Sequence, residues 1–365
     1  MRLLLFADLH LDAPFAWAPV HVARARRRAL RDALGEICRL AMAERADALC
    51  CAGDLYEQER FTPDTAAFLR DAFARIHPMP VYLAPGNHDW LGPASLYQRV
   101  DWTDNVHLFT SDRLEPVSLA DGFTLWGAAH RAPANTAGFL DDFRVDRGGV
   151  NLALFHGSEQ GELRLQGADK KPHAPFRASQ IESAGLQHAL VGHFHTPRDA
   201  PHHTYPGNPE PLAFGETGPR GAVMVTVDAD GTISRQRHRV SVSQVADVEV
   251  DLTGVDHARE VRERVAAGLA GLTGTVRLTL SGEVGPDLDL NLDELGEVPS
   301  TLVVVARLGK ITVGYDLGAL ADERTVRGQF VRDVGEAVDL TDEQRRKVLI
   351  TGLRALDGRQ DLEVR

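Results

Sequence analysis

Five short polar blocks are spread over the first two hundred or so residues of this chain, and each begins where an apolar run stops. Leu3 to Phe6 leads into Asp8 and His10, Ala48 to Ala52 into Gly53-Asp54, and Val81 to Ala84 into Gly86-Asn87-His88-Asp89. Val150 to Phe155 then leads into His156, and Ala189 to Val191 into Gly192-His193-Phe194-His195. Continuous apolar runs of roughly four to eight residues bounded by Gly or Pro read as strands buried on both faces. Strands of that kind need helices to cover them, so the chain is constrained to an α/β layer fold. The polar blocks then fall at carboxyl ends of strands, where loops build a site and residues distant in sequence converge.

Taken singly, Asp-x-His or Gly-Asp is ordinary turn material. Taken together, the blocks offer carboxylates, imidazoles and one amide oxygen, a donor set for divalent ions of intermediate hardness such as manganese, iron or zinc. Asp54 is the natural bridge between two ions, because a carboxylate has two oxygens and metal pairs in hydrolases sit about 3.5–4 Å apart. Such a pair lowers the pKa of a shared water and holds phosphate oxygens during in-line attack. His88, set between Asn87 and Asp89, is placed to give the leaving oxygen its proton, with Asp89 fixing the tautomer of the ring and raising its basicity. The remaining histidines, among them His130, His173, His188 and His203, lack such company and read as structural or surface residues. Trp90 reads as a half-buried aromatic, with stacking on a nucleobase as the alternative.

A chain of 365 residues with 43% hydrophobic content is long enough for two domains. The opening Met-Arg-Leu-Leu-Leu-Phe is too short for a signal peptide, and no apolar stretch approaches the roughly 20 residues of a membrane span. Three cysteines, two of them adjacent at Cys50 and Cys51, cannot make a disulfide framework, and a reducing cytoplasm is the expected compartment. The net charge of −12 argues against coating nucleic acid by bulk electrostatics, although a local basic groove is compatible with it. Arg24, Arg26, Arg27, Arg28 and Arg31 form the densest basic run and read as a solvated helix face, with phosphate contact as the alternative.

Residues 1–240 alternate strand-like and helical patterns, including a helix opened by Thr62-Pro63 and running through Ile76. A hairpin around Asp228-Ala229-Asp230-Gly231 closes this domain. Residues 241–320 read as a small α+β cap, with strands at Val245 to Leu252, Val276 to Leu280, Leu302 to Ala306 and Ile311 to Tyr315 and a helix from about Asp256 to Leu272. Residues 321–365 read as two helices. One carries Val326, Phe330, Val334 and Val338, and the other starts at a Thr341/Gln344 capping box. They pack on their own domain or dock a partner.

The blocks D-x-H, G-D, G-N-H-D, H and G-H-x-H, in that order, resemble the calcineurin-like metallophosphoesterase superfamily over about residues 1–235. The resemblance implies a four-layer sandwich of two mixed β-sheets flanked by helices. Carried over by position, it implies that Asp8, His10, Asp54 and His195 hold one ion. Asp54, Asn87, His156 and His193 would hold the other, with His88 as the acid. Ala52 to Glu57, Leu83 to Asp89 and Tyr205 to Glu210, followed by Phe214, Glu216 and Gly221, are similar to the DNA repair exonuclease branch, the SbcD- and YhaO-like phosphoesterases. Members usually have Ser where this chain has Asn208, a departure outside the metal set. This narrower resemblance implies a DNA exonuclease with two divalent ions, Mn2+ foremost and Fe, Zn or Mg as alternatives, working beside an SbcC-type, SMC-like ATPase. A homodimer is a further expected assembly, and no membrane partner is expected. A phosphoesterase for small molecules or nucleotides would use the same ligands. A non-catalytic scaffold for the ATPase is disfavoured by the intact site.

Overall fold

The computed structural model describes residues 1–165, 171–292, 295–296 and 302–358. The chain divides into two compact units, Met1–Gln244 and Val245–Arg365. In the first, β1 (Arg2–Phe6), α1 (Val20–Ala43), β2 (Ala48–Cys51), α2 (Pro63–Ala74), β3 (Val81–Leu83) and β4 (Val106–Leu108) form a parallel run. A second run follows with β5 (Glu115–Ala120), β6 (Phe123–Gly127), β7 (Val150–His156), α3 (Ala178–Ser183), β8 (His188–Gly192), β9 (Arg198–Asp199) and β10 (His203–Tyr205). The hairpin β11 (Gly221–Val227) and β12 (Ile233–Arg239) returns to pair antiparallel with β1. Two mixed six-stranded sheets result, in the orders β12-β11-β1-β2-β3-β4 and β5-β6-β7-β8-β10-β9.

The two-residue period of the strands sorts their side chains into layers. Leu3, Leu5, Cys50, Val223 and Val225 meet Leu125, Leu152, Leu154 and Leu190 between the sheets. Leu4, Phe6, Leu49 and Leu83 face the other way, onto Leu30, Leu34 and Ile37 of α1 and Leu69 and Phe73 of α2. On the far side, Ala153, Phe155, Ala189 and Val191 pack with Ile181 of α3. This is the four-layer sandwich the sequence implies. Each fully buried Leu or Phe contributes about 1.5–3 kcal/mol, which is why strands of three to seven residues suffice to hold the site-bearing loops. Thr62 caps α2 by accepting from the Thr65 amide, and Pro63 occupies the first helical position.

One residue of the basic run on α1 departs from the solvated face read in the sequence. Arg26 is buried, 3.2 Å from Glu210 Oε1, and also donates to the Pro211 carbonyl. The helix periodicity that puts Ala23, Leu30 and Ala33 inside also puts position 26 there, so the guanidinium needs an internal carboxylate.

The second unit holds β13 (Val245–Asp251), α4 (Ala258–Leu269), β14 (Gly274–Val284) and β15 (Leu302–Val313), a parallel sheet in the order β13-β14-β15 covered by Val261, Val265 and Leu269 of α4. The two strands read at Leu302 to Ala306 and Ile311 to Tyr315 are one. Gly309-Lys310 does not turn the chain: between the pairs Leu280–Leu308 and Gly282–Ile311 these two residues of β15 oppose the single Ser281 of β14, a bulge, and Gly282 beside it has a φ of 116° that suits glycine. Three helices follow: α5 (Leu317–Asp322), α6 (Val326–Glu336) and α7 (Asp342–Leu356). The sequence reading missed α5, although Asp316 caps it through the Ala319 amide at 2.9 Å. The Thr341/Gln344 capping box opens α7. Of the spacing-four stripe, Phe330 and Val334 pack near buried Leu320, Val331, Leu349 and Leu353, whereas Val326 and Val338 are exposed. No helix among the described residues is long and apolar enough to cross a membrane.

Candidate metal centre

The loops leaving β1 and β2 are laced together before any side chain is considered. The amides of Asp8, His10 and Leu11 donate to the carbonyls of Gly53, Asp54 and Leu55 at 2.9–3.0 Å. To follow this path Asp8, His10 and Asp54 take φ values of 50–55°, and His193 takes 114°. Side chains other than glycine rarely adopt such backbone, and it persists where surrounding bonds impose it. Gly192, the last residue of β8, is required by close approach: a Cβ there would lie 2.1 Å from the Ala52 carbonyl oxygen.

The loops bring the predicted ligands together. Asp8, His10 and His195 present one set of donor atoms within reach of a single ion, and Asp8, Asp54 and His156 another. Asp54 lies between them, with Oδ2 3.2 Å from His156 Nε2 and 3.6 Å from His10 Nε2. Its Oδ1 accepts from the His88 amide at 2.8 Å. His156 Nδ1 donates to the Ala52 carbonyl at 2.8 Å, which turns Nε2 toward Asn87 Oδ1 at 3.1 Å and His193 Nδ1 at 3.2 Å. The His193 amide donates to both oxygens of Asp8, at 3.0 and 3.1 Å.

These residues fit divalent cations. His10 Nε2 is buried and has no hydrogen-bond partner, although it sits beside a carboxylate. Burial pushes the Asp8 carboxyl above its ordinary range and outweighs the imidazoles of His156 and His195, which favour its charged form. Asp54 goes the other way: burial opposes ionisation, yet His156 and His88 hold it well below its ordinary value. A pocket of imidazole nitrogens, an amide oxygen and two carboxylates, with no thiolate, is the chemistry of a borderline cation.

The partner of His88 differs from the sequence reading. Asp89 does not touch the ring. Its carboxylate accepts from the amides of Gly86 (2.6 Å), Leu55 (2.7 Å) and Asp54 (3.1 Å) and from the Tyr97 hydroxyl (2.5 Å). Side-chain direction, which spacing along a tight loop does not reveal, turns Asp89 inward and His88 outward. His88 Nδ1 lies 3.0 Å from Glu57 Oε2, and Glu57 Oε1 lies 2.8 Å from His10 Nδ1. Burial raises the Glu57 carboxyl, but the two histidines outweigh it and hold the group at about 2, so both ring nitrogens donate. Burial likewise pulls the His88 imidazolium down, while Asp54 and Glu57 hold it up to about 9. The ring is 45% exposed.

Glu57 and Glu216 escaped the sequence reading as functional groups, although both stand in the stretches that carry the narrower resemblance. Glu216 Oε1 accepts from His195 Nδ1 at 2.7 Å, and its other oxygen accepts from Asn208 Nδ2 at 2.7 Å and the Leu212 amide at 2.6 Å. Asn208 therefore stands two hydrogen bonds behind His195, a candidate metal ligand. Partners of this kind fix the tautomer of a ligating imidazole. His130 donates from Nε2 to the His156 carbonyl at 2.8 Å, and burial with the neighbouring His156 pushes it down to about 3, which makes it a neutral prop. His173 also lies beside the site, its ring centroid 5.4 Å from that of His193. No motif in the sequence marks either one.

Known proteins resemble this chain over most of its length. The metallophosphoesterase YhaO of Bacillus subtilis (strain 168), itself described as uncharacterized, is 27% identical over 261 residues, 68% of this chain and 62% of that protein. The DNA double-strand break repair protein Mre11 of Methanopyrus kandleri is 25% identical over 306 residues, 73% of this chain and 63% of that protein. The chain thus spans less than two thirds of the length of these relatives. Among solved structures, TT1561 of Thermus thermophilus aligns with a TM-score of 0.38 and 14% identity, over 66% of this chain and 98% of that one. The sequence profile of the calcineurin-like phosphoesterases matches residues 1–197, the stretch that carries all five ligand blocks, and this chain is accordingly a member of that family of metal-dependent phosphoester hydrolases.

Proposed function

We propose that the protein hydrolyses DNA phosphodiester bonds with two divalent ions, Mn2+ foremost, as a nuclease subunit beside an SMC-like ATPase. One observation carries this choice of substrate: the likeness to the Mre11 repair protein covers 73% of the chain and so extends beyond residues 1–197, which define the family alone. When bound, paired ions supply Lewis-acid stabilisation of the phosphate and acidify water in the site. Asp8, His10, Asp54 and His195 would hold one ion, and Asp54, Asn87, His156 and His193 the other. His88 delivers its proton to the oxygen that leaves the phosphorus, from the ring nitrogen that Glu57 does not occupy.

With Mn2+ present, the purified protein degrades linear DNA. Asp54→Asn reduces this to background, and His88→Gln lowers it by about 10^2–10^4-fold. Activity that persists in both variants would remove the site assignment. The net charge of −12 favours a second reading, a phosphoesterase for small or nucleotide substrates. A salt titration separates the two: a DNA enzyme loses affinity linearly in log salt, and the small-substrate enzyme has no such affinity to lose.

A further inference from the structure

We propose that the loop between β10 and β11, residues 206–220, is a joint that couples the candidate ligand His195 to the segment by which the chain leaves the first unit, with Glu210 and Arg220 as its two working side chains. This rests on His195 holding an ion and is independent of DNA as the substrate. β12 ends at Arg239 and β13 begins at Val245, and the residues between them belong to neither strand nor helix. Four successive amides of this exit segment are nevertheless held, all by that one loop. Val240 and Ser241 donate to the Arg220 carbonyl at 3.0 and 3.2 Å, and Val242 and Ser243 donate to the Glu210 carboxylate at 3.0 and 3.1 Å.

The same two residues reach toward the metal centre. The Arg220 guanidinium donates to the carbonyls of His195 and Glu216, each at 2.8 Å, and to the side-chain oxygen of Asn208. Arg220 therefore grips His195 with its side chain and the exit segment with its own carbonyl. The Glu210 carbonyl accepts from Asn208 Nδ2 at 3.0 Å, and the Asn208 amide donates to the His195 carbonyl at 3.3 Å. Both charged side chains are buried, Glu210 opposite Arg26. A buried charge that loses a partner is costly, so amides, carboxylate and guanidinium are held or released together. Drawing the exit segment away from Glu210 and Arg220 loosens the loop that holds His195, and the ligand set containing His195 loses affinity for its ion.

The test uses the full chain, amide hydrogen exchange and Mn2+ calorimetry. If the anchored state binds Mn2+ more tightly, linkage makes the coupling reciprocal: saturating Mn2+ lowers the open population of the exit segment by the factor by which permanent opening weakens Mn2+ binding. In the wild-type protein Mn2+ slows exchange of the Val240 to Ser243 amides by about fivefold or more. His195→Gln removes that slowing. Val242 is 61% exposed, so Val242→Pro combined with Ser243→Pro deletes two amide donors while leaving Glu210, Arg26 and every candidate ligand in place. The doubly substituted chain binds Mn2+ more weakly by the same factor, and Val242→Ala, which keeps the amide, binds it as the wild type does. The exchange measurement on the wild-type chain needs no substitution and decides the matter if the doubly substituted chain does not fold.

Unchanged exchange at residues 240–243 under saturating Mn2+ would overturn the proposal, as would wild-type Mn2+ affinity in the doubly substituted chain. Equal slowing in β5 and β6, at the opposite edge of their sheet from β10 and β9, would overturn it by marking general stabilisation in place of a joint. Mn2+ binding that His195→Gln leaves intact would remove the ligand on which the joint acts and would count against the site assignment as well. A protein that meets the exchange and calorimetry expectations but leaves DNA uncut would count against the DNA reading alone.

Discussion

The two units bury the same kinds of apolar side chain and differ in what else they bury. Among the described residues, Asp8, Asp54, Asp89, His156, His188, His203, Glu210 and Arg220 are buried polar groups of the first unit, whereas Thr275 is the one buried polar side chain of the second. A buried ionisable group costs several kcal/mol unless it is paired or ligated. The first unit carries that cost at the candidate site and beneath α1, and the described residues of the second unit bury no ionisable group. Stability and reactivity are therefore separable properties here, and three measurements can break or sharpen the separation.

The largest effect is expected in the second unit. Leu353→Ala removes a fully buried side chain from the cluster with Leu320, Val331 and Leu349 and destabilises that unit by about 2–5 kcal/mol in urea unfolding. Mn2+ binding by the full chain stays at the wild-type level; a loss of binding before unfolding would break the separation. Acid comes next and acts on the first unit. Burial pushes His188 down to about 3 and His203 to about 4, so below the ordinary value near 6.5 the unfolded chain takes up protons that the folded chain refuses. Stability contributed by each neutral ring is present above that value and falls as the pH drops, by roughly 2–3 kcal/mol between pH 6.5 and 4.5. His188→Gln flattens this decline in a pH series of urea midpoints, and an unchanged slope would refute it. The smallest effect sharpens the comparison within the site. Glu216→Gln leaves the urea midpoint nearly unchanged but weakens Mn2+ binding in calorimetry by about 10–100-fold, because His195 loses the acceptor that orients it.

The convergence of Asp8, Asp54, Asn87, His156 and His193 was legible because each follows an apolar run long enough to be a strand, and a strand end fixes where the next residue stands; their sorting into two sets of candidate ligands rested on the family resemblance. Their supports were less visible. Glu57 and Glu216 act through carboxylate orientation, and Asp89 lies next to His88 in sequence while its carboxylate faces the opposite way, toward backbone amides. Periodicity places a residue on a face but does not say where a long side chain ends. Arg26 shows the limit from the other direction: one buried position among five arginines is set by its match to Glu210, 184 residues away. In the second unit, β15 read as two strands because its apolar run is interrupted where the strand carries the extra residue of a bulge, at Gly309-Lys310.

The inward carboxylate of Asp89 has a practical consequence. Its four bonds tie the loop after β2 to the loop after β3 through backbone amides and a tyrosine hydroxyl, and none of them uses a ligand atom. Small metal-dependent domains collapse under chelation because the ion is their fold. These four bonds are therefore expected to outlast chelation, and a far-UV circular dichroism spectrum that collapses in EDTA would show that the loops depend on an ion instead.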